Sequence, residues 1–305
     1  GDGASAADDV GVDVDEVDVQ FMEGGYLFLA STEEGEKRLK TNLRLQQELG
    51  SVGTVMMGPE ELRSAFPYLN TDDLKVGCFS KMDGWLDPYS FLTGVKSALA
   101  PHVEYKSSLT DVRMEGGKIS EVMCDGEWSA VDYVVNAAGA NANHLPSLVP
   151  GAAPLPVEAR VRTVFHFKAK SVRHPKPTEH KPPLTVDPSG VWYRSTSSLA
   201  EDNTGDFICG CTPPAPDLAA DASSCDSEIP PAYDLWESEI WPRLYERCEA
   251  FGEAKVLNQW AGWYEYNTAD QNGIVGFHPD CANMVLANGF SGHGLQQAPA
   301  VGRAV

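Results

Sequence analysis

Near its carboxy end the chain passes from an apolar, strand-like segment at residues 284–288 into Gly289-Phe290-Ser291-Gly292-His293-Gly294. A helix follows, with Ala298, Val301 and Ala304 at helical spacing. Three glycines in six residues make a tight entry in which backbone amides stay uncovered, and a helix start favours an anionic or electron-rich atom there. On spacing alone the stretch reads equally well as a ligand-binding turn and as a glycine-rich turn with no ligand. A second segment repeats the plan: apolar residues up to Val135 run into Asn136-Ala137-Ala138-Gly139-Ala140 and a further helix. The two strand–turn–helix units, at 134–149 and 284–305, bracket a middle that reads as antiparallel strands. That is the pattern of one domain interrupted by another.

The intervening elements follow from periodicity and turn chemistry. Residues 25–30 form a short apolar run flanked by glycine, hence a buried strand. Ser31, Thr32, Glu33 and Glu34 open a helix whose apolar face is Leu39, Leu43, Leu45 and Leu49, stopping at Gly50. A short helix follows Pro59, a strand occupies 74–80, and Asp87-Pro88 opens a helix with Phe91, Leu92, Val95 and Leu99 on one face. Strands are expected at 103–105, 109–114 and 119–124, with a hairpin at Gly116-Gly117, and another over 128–135. Strands at 155–168 and 184–210 flank a loop at 171–183, residues 212–231 read as a surface excursion, and a helix covers 232–250. Strands near 255–266 and 284–288 complete the pattern.

Charge narrows the function classes. There are 23 Lys and Arg against 44 Asp and Glu, a net charge of -21, which does not favour a nucleic-acid backbone or an anionic membrane. No apolar run approaches the roughly 18 residues of a spanning helix. The first 19 residues form an acidic, flexible segment with no Lys or Arg before Lys37, unlike a transit peptide or secretory signal, so any targeting segment is expected upstream. Seven cysteines (Cys78, Cys124, Cys209, Cys211, Cys225, Cys248 and Cys281) have no zinc spacing and read as reduced structural thiols of an intracellular protein. His166, His174 and His180 are too irregular for a metal site, and no metal is expected.

The stretch 289–296 closely resembles the carboxy-terminal flavin-contacting motif of the D-amino-acid oxidase-like superfamily of FAD-dependent oxidoreductases, which includes sarcosine oxidase and dimethylglycine dehydrogenase. Residues 134–141 (VVNAAGAN) are similar to that family's second signature, and 84–89 (GWLDPY) matches its G-x-(V/L)-D-P helix entry. Residues 260–276 (WAGWYEYNTADQNGIVG) and 289–299 most resemble a mitochondrial branch of the family implicated in assembly of respiratory complex I. The resemblance runs from about residue 20 to the end. It implies an α/β (α+β) FAD-binding fold with an inserted mixed or antiparallel substrate domain. The FAD-binding parts would be 85–150 and 281–305, and the substrate or interaction parts 20–84 and 151–280. Non-covalent FAD would be held by Ala138, Gly139, Gly289, Ser291, Gly292, His293, Gly294, Leu295 and Gln296. The implied partners are complex I subunits or assembly intermediates, or a small amine or amino-acid substrate.

The sequence departs from the family pattern in two ways. The family's opening strand, G-x-G-x-x-G turn and helix, which hold the cofactor's pyrophosphate, are not found, so the chain is read as a truncated piece lacking that amino-terminal unit. The position of the sarcosine oxidases' flavin-linked cysteine holds Trp263, and Gln296 replaces their lysine. Because that lysine serves oxygen activation, the exchange favours a dehydrogenase or a non-catalytic role over a fast oxidase. Three readings follow: a flavoprotein serving complex I assembly, an amine or amino-acid dehydrogenase, and a cofactor-free scaffold with the same fold.

The catalytic group is unassigned, with His293, Tyr264 and Tyr266 as candidates. His293 would either hydrogen-bond near the flavin or orient the glycine turn. Tyr264 and Tyr266 alternate on a strand, so they share one face, either lining a pocket or packing. Asp270 reads as a turn residue, and Trp236 and Trp241 as core or interface.

Overall fold

The computed structural model describes residues 18–100, 102–169, 182–196, 205–214 and 229–305. In chain order the elements are β1 (Tyr26–Ala30), α1 (Glu33–Glu48), β2 (Thr54–Met57), α2 (Pro59–Ala65), β3 (Val76–Ser80) and α3 (Pro88–Leu99). Then come β4 (Leu109–Glu115), β5 (Lys118–Cys124), β6 (Glu127–Ala130), β7 (Val134–Asn136) and α4 (His144–Leu148). The remainder is β8 (Val157–Lys168), β9 (Leu184–Val186), β10 (Trp192–Ser195), β11 (Asp206–Gly210), α5 (Trp241–Arg247), β12 (Lys255–Asn267), β13 (Ile274–Phe277), β14 (Met284–Asn288) and α6 (Gly294–Ala304). Helix starts follow their caps: the Thr32 hydroxyl accepts the Gly35 amide at 3.1 Å, and the Asp87 carboxylate accepts that of Ser90 at 2.6 Å.

Eight strands form one mixed sheet in the order β12-β8-β11-β10-β9-β1-β3-β2. All of its pairings are antiparallel except β1 with β9. One face is the core. Leu27, Leu29, Phe165, Phe167, Tyr193 and Phe207 point into a cluster closed by Leu62 and Phe66 near α2 and by Ile240, Leu244 and Phe251 around α5. Phe251 stands edge-on to Phe167, Tyr193 and Phe207 at centroid distances of 5.2–5.4 Å, an arrangement favoured by the ring quadrupoles. The alternate residues of the same strands, including Tyr26, Arg160, Arg162, Arg194 and Ile208, are only half-buried on the opposite, open face.

A second sheet, β13-β14-β7, pairs β14 with β7 in parallel, and a third is the meander β4-β5-β6. A second core cluster spans both, with Val112, Ile119, Leu145, Met284 and Leu286. Asn283 joins the two sheets: its amide donates to the carbonyls of Ile119 and Asp132 and accepts from the Ile119 amide, at 2.8–2.9 Å.

Several expectations are corrected. Residues 103–105 form no strand. The single strand expected over 128–135 is β6 and β7, in different sheets, because the chain turns away at Asp132 to meet Asn283. The helix expected at 232–250 is a π-turn at Trp236–Ile240, then α5, then a 3₁₀ turn at Glu249–Glu253. β2 and β13 were not anticipated. Leu45 of α1 and Leu92, Val95 and Leu99 of α3, expected on packed faces, are exposed. Trp236 packs on Phe165 and Phe167, whereas Trp241 stays partly exposed and donates to the Phe251 carbonyl at 3.2 Å. The loop at 171–183, the excursion at 212–231, the acidic start, His174, His180 and Cys225 lie wholly or largely outside the described residues.

Candidate functional site

Because β7 and β14 are parallel neighbours, their carboxy ends lie side by side, and each runs into one of the two turns singled out in the sequence. Residues 136–141 and 288–294 are thereby brought to one end of one sheet, where ligands of parallel sheets bind. Asparagines lock the two exits together. The Asn288 amide donates to the Asn136 side-chain oxygen at 3.3 Å, while Asn136 also donates to the Ala142 carbonyl at 2.7 Å and accepts from the Ala138 amide at 3.2 Å. The short turn Gly139–Asn141 lies against β8 and β12.

The glycine turn is held by the edge strand β12. Both carboxylate oxygens of Glu265 accept turn amides, from Gly289 at 2.8 Å and Phe290 at 3.3 Å. The Tyr264 hydroxyl donates to the Ser291 carbonyl. Ser291 is buried and has a positive φ; its hydroxyl accepts the Asn267 amide at 3.0 Å and donates to the Gly289 carbonyl at 3.3 Å. Asp270 accepts the amide of Asn272 at 2.9 Å and that of the Asn267 side chain at 3.0 Å, as a turn residue. Gly292 has φ +89°, and a Cβ there would lie 2.9 Å from the Tyr264 ring, so only glycine fits. At Gly294 the nearest atom to a Cβ would be at 3.4 Å.

These bonds divide the sequence-predicted residues. Gly289 and Ser291 spend their polar groups on shaping the turn. Beyond them, His293 sits at the start of α6 with no side-chain cap, and its own amide bonds to Phe290. The amides of Gly294, Leu295 and Gln296 have no acceptor among the described residues. Three free donors at the positive end of an 11-residue helix suit electron-rich ligand atoms. The Asn288 side-chain oxygen is fully buried and has no partner among the described residues, a cost that a ligand donor would offset. Free amides, an orphaned acceptor and two adjacent turns fit the edge of a flat heterocycle that carries both donors and acceptors, as the isoalloxazine of FAD does.

Beside the turn, the open sheet face carries cations on aromatic rings. Arg162 lies 4.5 Å from the Tyr264 ring centroid and Arg160 5.0 Å from that of Tyr266, and Arg160 is paired to Glu158 at 2.5 Å. Tyr264 and Tyr266 share a face as expected, but the Tyr264 hydroxyl is committed to the turn. Trp263 points to the opposite face. None of the described cysteines lies on β12 or in the turn, and burial pushes the Cys211 thiol up to about 11. No group of three metal-ligating side chains occurs among the described residues. Glu265, Asn267, Asn136 and Asn288 were missed; the signal was Asn closing both apolar strands just before the small-residue turns.

A fold with two turns at the ends of parallel strands beside a large mixed sheet defines a class, and the comparisons agree. The chain belongs to the FAD dependent oxidoreductase (DAO) family, whose model matches residues 12–305. It is 35% identical to the FAD-dependent oxidoreductase domain-containing protein 1 of Bos taurus, over 96% of this chain and 63% of that protein. The mitochondrial dimethylglycine dehydrogenase of Rattus norvegicus is 24% identical over 93% of this chain and 33% of that protein. Among solved structures, L-proline dehydrogenase from P. horikoshii superposes with a TM-score of 0.76 at 24% identity, covering 92% of this chain and 71% of that one. The chain thus spans less than two thirds of the Bos taurus relative. No helix among the described residues is long and apolar enough to cross a membrane.

Proposed function

We propose that this chain holds FAD non-covalently at the paired turns, as part of a mitochondrial oxidoreductase that serves the assembly of respiratory complex I. Contacts would come from Ala138 and Gly139 on one side and from Gly292, His293 and the free amides of Gly294, Leu295 and Gln296 on the other. Gly289 and Ser291 would act by shaping the turn. The carrying observation is the set of uncovered amides at the start of α6, on a turn that Tyr264, Glu265 and Asn267 fix in place. The chemistry that bound FAD would supply is hydride acceptance from the C–H beside an amine nitrogen. This chain's residues need supply no strong base: the turn places donors, and the open face beside it, with Tyr264 and Tyr266, orients a substrate. The division into FAD-binding parts (85–150, 281–305) and substrate parts (20–84, 151–280) belongs to the same proposal, as does completion of the site by an amino-terminal dinucleotide unit. The resemblance of residues 260–276 and 289–299 to the complex I assembly branch supports the place of action.

A second reading, a metabolic amine or amino-acid dehydrogenase, draws on the cation-and-aromatic face beside the turn. Visible absorbance of the full-length protein tests the cofactor: a flavin spectrum released by acid supports non-covalent FAD, and a colourless folded protein makes it a scaffold. Anaerobic bleaching of that spectrum by sarcosine, dimethylglycine or proline supports the dehydrogenase. Loss of assembled complex I on depletion of the protein, without such bleaching, supports the first reading.

A further inference from the structure

Asparagine followed by glycine occurs twice, at Asn272-Gly273 and Asn288-Gly289. The pair is chemically labile, because glycine carries no Cβ to keep its amide nitrogen from closing on the asparagine side chain. The fold treats the two copies oppositely. Asn288 is fully buried, and the Gly289 amide is committed to the Glu265 carboxylate at 2.8 Å. Asn272 is exposed in the turn between β12 and β13, and the Gly273 amide has no acceptor among the described residues. One nitrogen is tied down at a dry strand end; the other is free beside water.

The exposed copy is joined to the glycine turn by two contacts. The Asn267 side chain donates to the Asn272 carbonyl at 2.6 Å and to the Asp270 carboxylate at 3.0 Å, while the Asn267 backbone amide donates to the Ser291 hydroxyl. Gly273 lies so close under the buried Phe290 ring that a Cβ there would sit 2.4 Å from it. Packing on the turn therefore requires glycine at 273, and that same glycine leaves Asn272 reactive.

We propose that Asn272 is a deamidation site through which the age of the protein loosens the glycine turn. The Gly273 nitrogen, on losing its proton to hydroxide, attacks Cγ of Asn272. A C–N bond forms, the Cγ–Nδ2 bond breaks, and the side-chain nitrogen leaves as ammonia. Water then opens the cyclic imide at either carbonyl, giving aspartate or isoaspartate. In aspartate, the side-chain amide that donates to the Asp270 carbonyl at 3.0 Å is replaced by a carboxylate, a second negative charge beside Asp270. In isoaspartate, the backbone gains a methylene directly before Gly273, where the Phe290 ring leaves no room. The carbonyl that Asn267 holds becomes a free carboxylate. Loss of one hydrogen bond at the turn weakens flavin binding about tenfold, a consequence that rests on the reading of this turn as the flavin's.

The test ages the folded, full-length protein in mildly alkaline buffer, with a mildly acidic sample as reference. Peptide mass spectrometry should find acid in place of amide at Asn272 and not at Asn288, sooner in the alkaline sample. Methyl transfer by an isoaspartyl-specific carboxyl methyltransferase should label the same peptide. The urea midpoint should fall as modification proceeds in wild type and hold in Asn272→Gln, whose longer side chain cyclises far more slowly. Equal retention of the amide at Asn272 and Asn288, or extensive modification with an unshifted midpoint, would overturn the proposal. The first of these is read within one wild-type digest and needs no variant. Flavin content is followed on the same samples. Modification with a falling midpoint in a protein that never held flavin supports the site and removes the cofactor reading. Flavin held through ageing with Asn272 intact does the reverse.

Discussion

Substituting Gly292 with alanine perturbs the turn at its tightest point. The φ of +89° costs an L-residue about 1–2 kcal/mol. The new methyl would also lie 2.9 Å from the Tyr264 ring, and the ring cannot retreat without giving up its bond to the Ser291 carbonyl, worth about 1 kcal/mol. The expected loss is therefore about 2–3 kcal/mol, read as a lowered urea midpoint by circular dichroism, with flavin retention falling in parallel. Gly294→Ala is the control. Its Cβ meets nothing nearer than 3.4 Å and it lies in α6, so its effect is neutral or stabilising by up to about 1 kcal/mol. A double-mutant cycle isolates the contact: in a Tyr264→Ala background the Gly292→Ala cost should shrink by about 1 kcal/mol, leaving the backbone strain. A Gly292→Ala protein as stable as wild type, or a cycle without coupling, would refute the claim that Tyr264 clamps the turn.

Three further outcomes follow from the same geometry. Glu265→Gln leaves only one acceptor oxygen for the amides of Gly289 and Phe290, and should cost about 1–2 kcal/mol with a measurable drop in bound flavin. Arg247 donates to Asp73, and that bond holds the Asp73 carboxyl below its usual range. The stabilisation is complete above the unfolded pKa of about 4 and is lost as pH falls through the lower folded value, so Asp73→Asn should flatten the stability–pH curve in that acid window. Phe251→Ala should destabilise by about 3–5 kcal/mol, since the ring is fully buried among Phe167, Tyr193 and Phe207; a midpoint near wild type would show that the cluster repacks.

Local chemistry made the turns legible. Glycine spacing after an apolar run announces Gly289 to Gly294, and Asp87-Pro88 announces a helix start whose cap is found as expected. What holds the turn was not legible, because Tyr264, Glu265 and Asn267 reach it through tertiary contacts that leave no local trace in sequence. The same limit explains the split between β6 and β7, where Asn283, far along the chain, captures the Asp132 carbonyl. Short strands such as β2 and β13, with methionine or glycine in place of strong alternation, carry too little pattern to stand out.

β12 is the outermost strand of an eight-stranded sheet and runs for 13 residues. A bare edge of that length invites another chain to add a strand. Its first half is defended by Lys255 and by the irregularity between Val256 and Asn258. Its second half is stoppered by the glycine turn, through the Ser291 amide on the Glu265 carbonyl at 3.2 Å and the Ser291 hydroxyl on the Asn267 amide. Damage to the turn thus uncorks a strand edge as well as a binding surface. Variants that bleach the protein should accumulate in the pellet instead of surviving as colourless soluble material, so pigment and solubility would be inherited together as one trait.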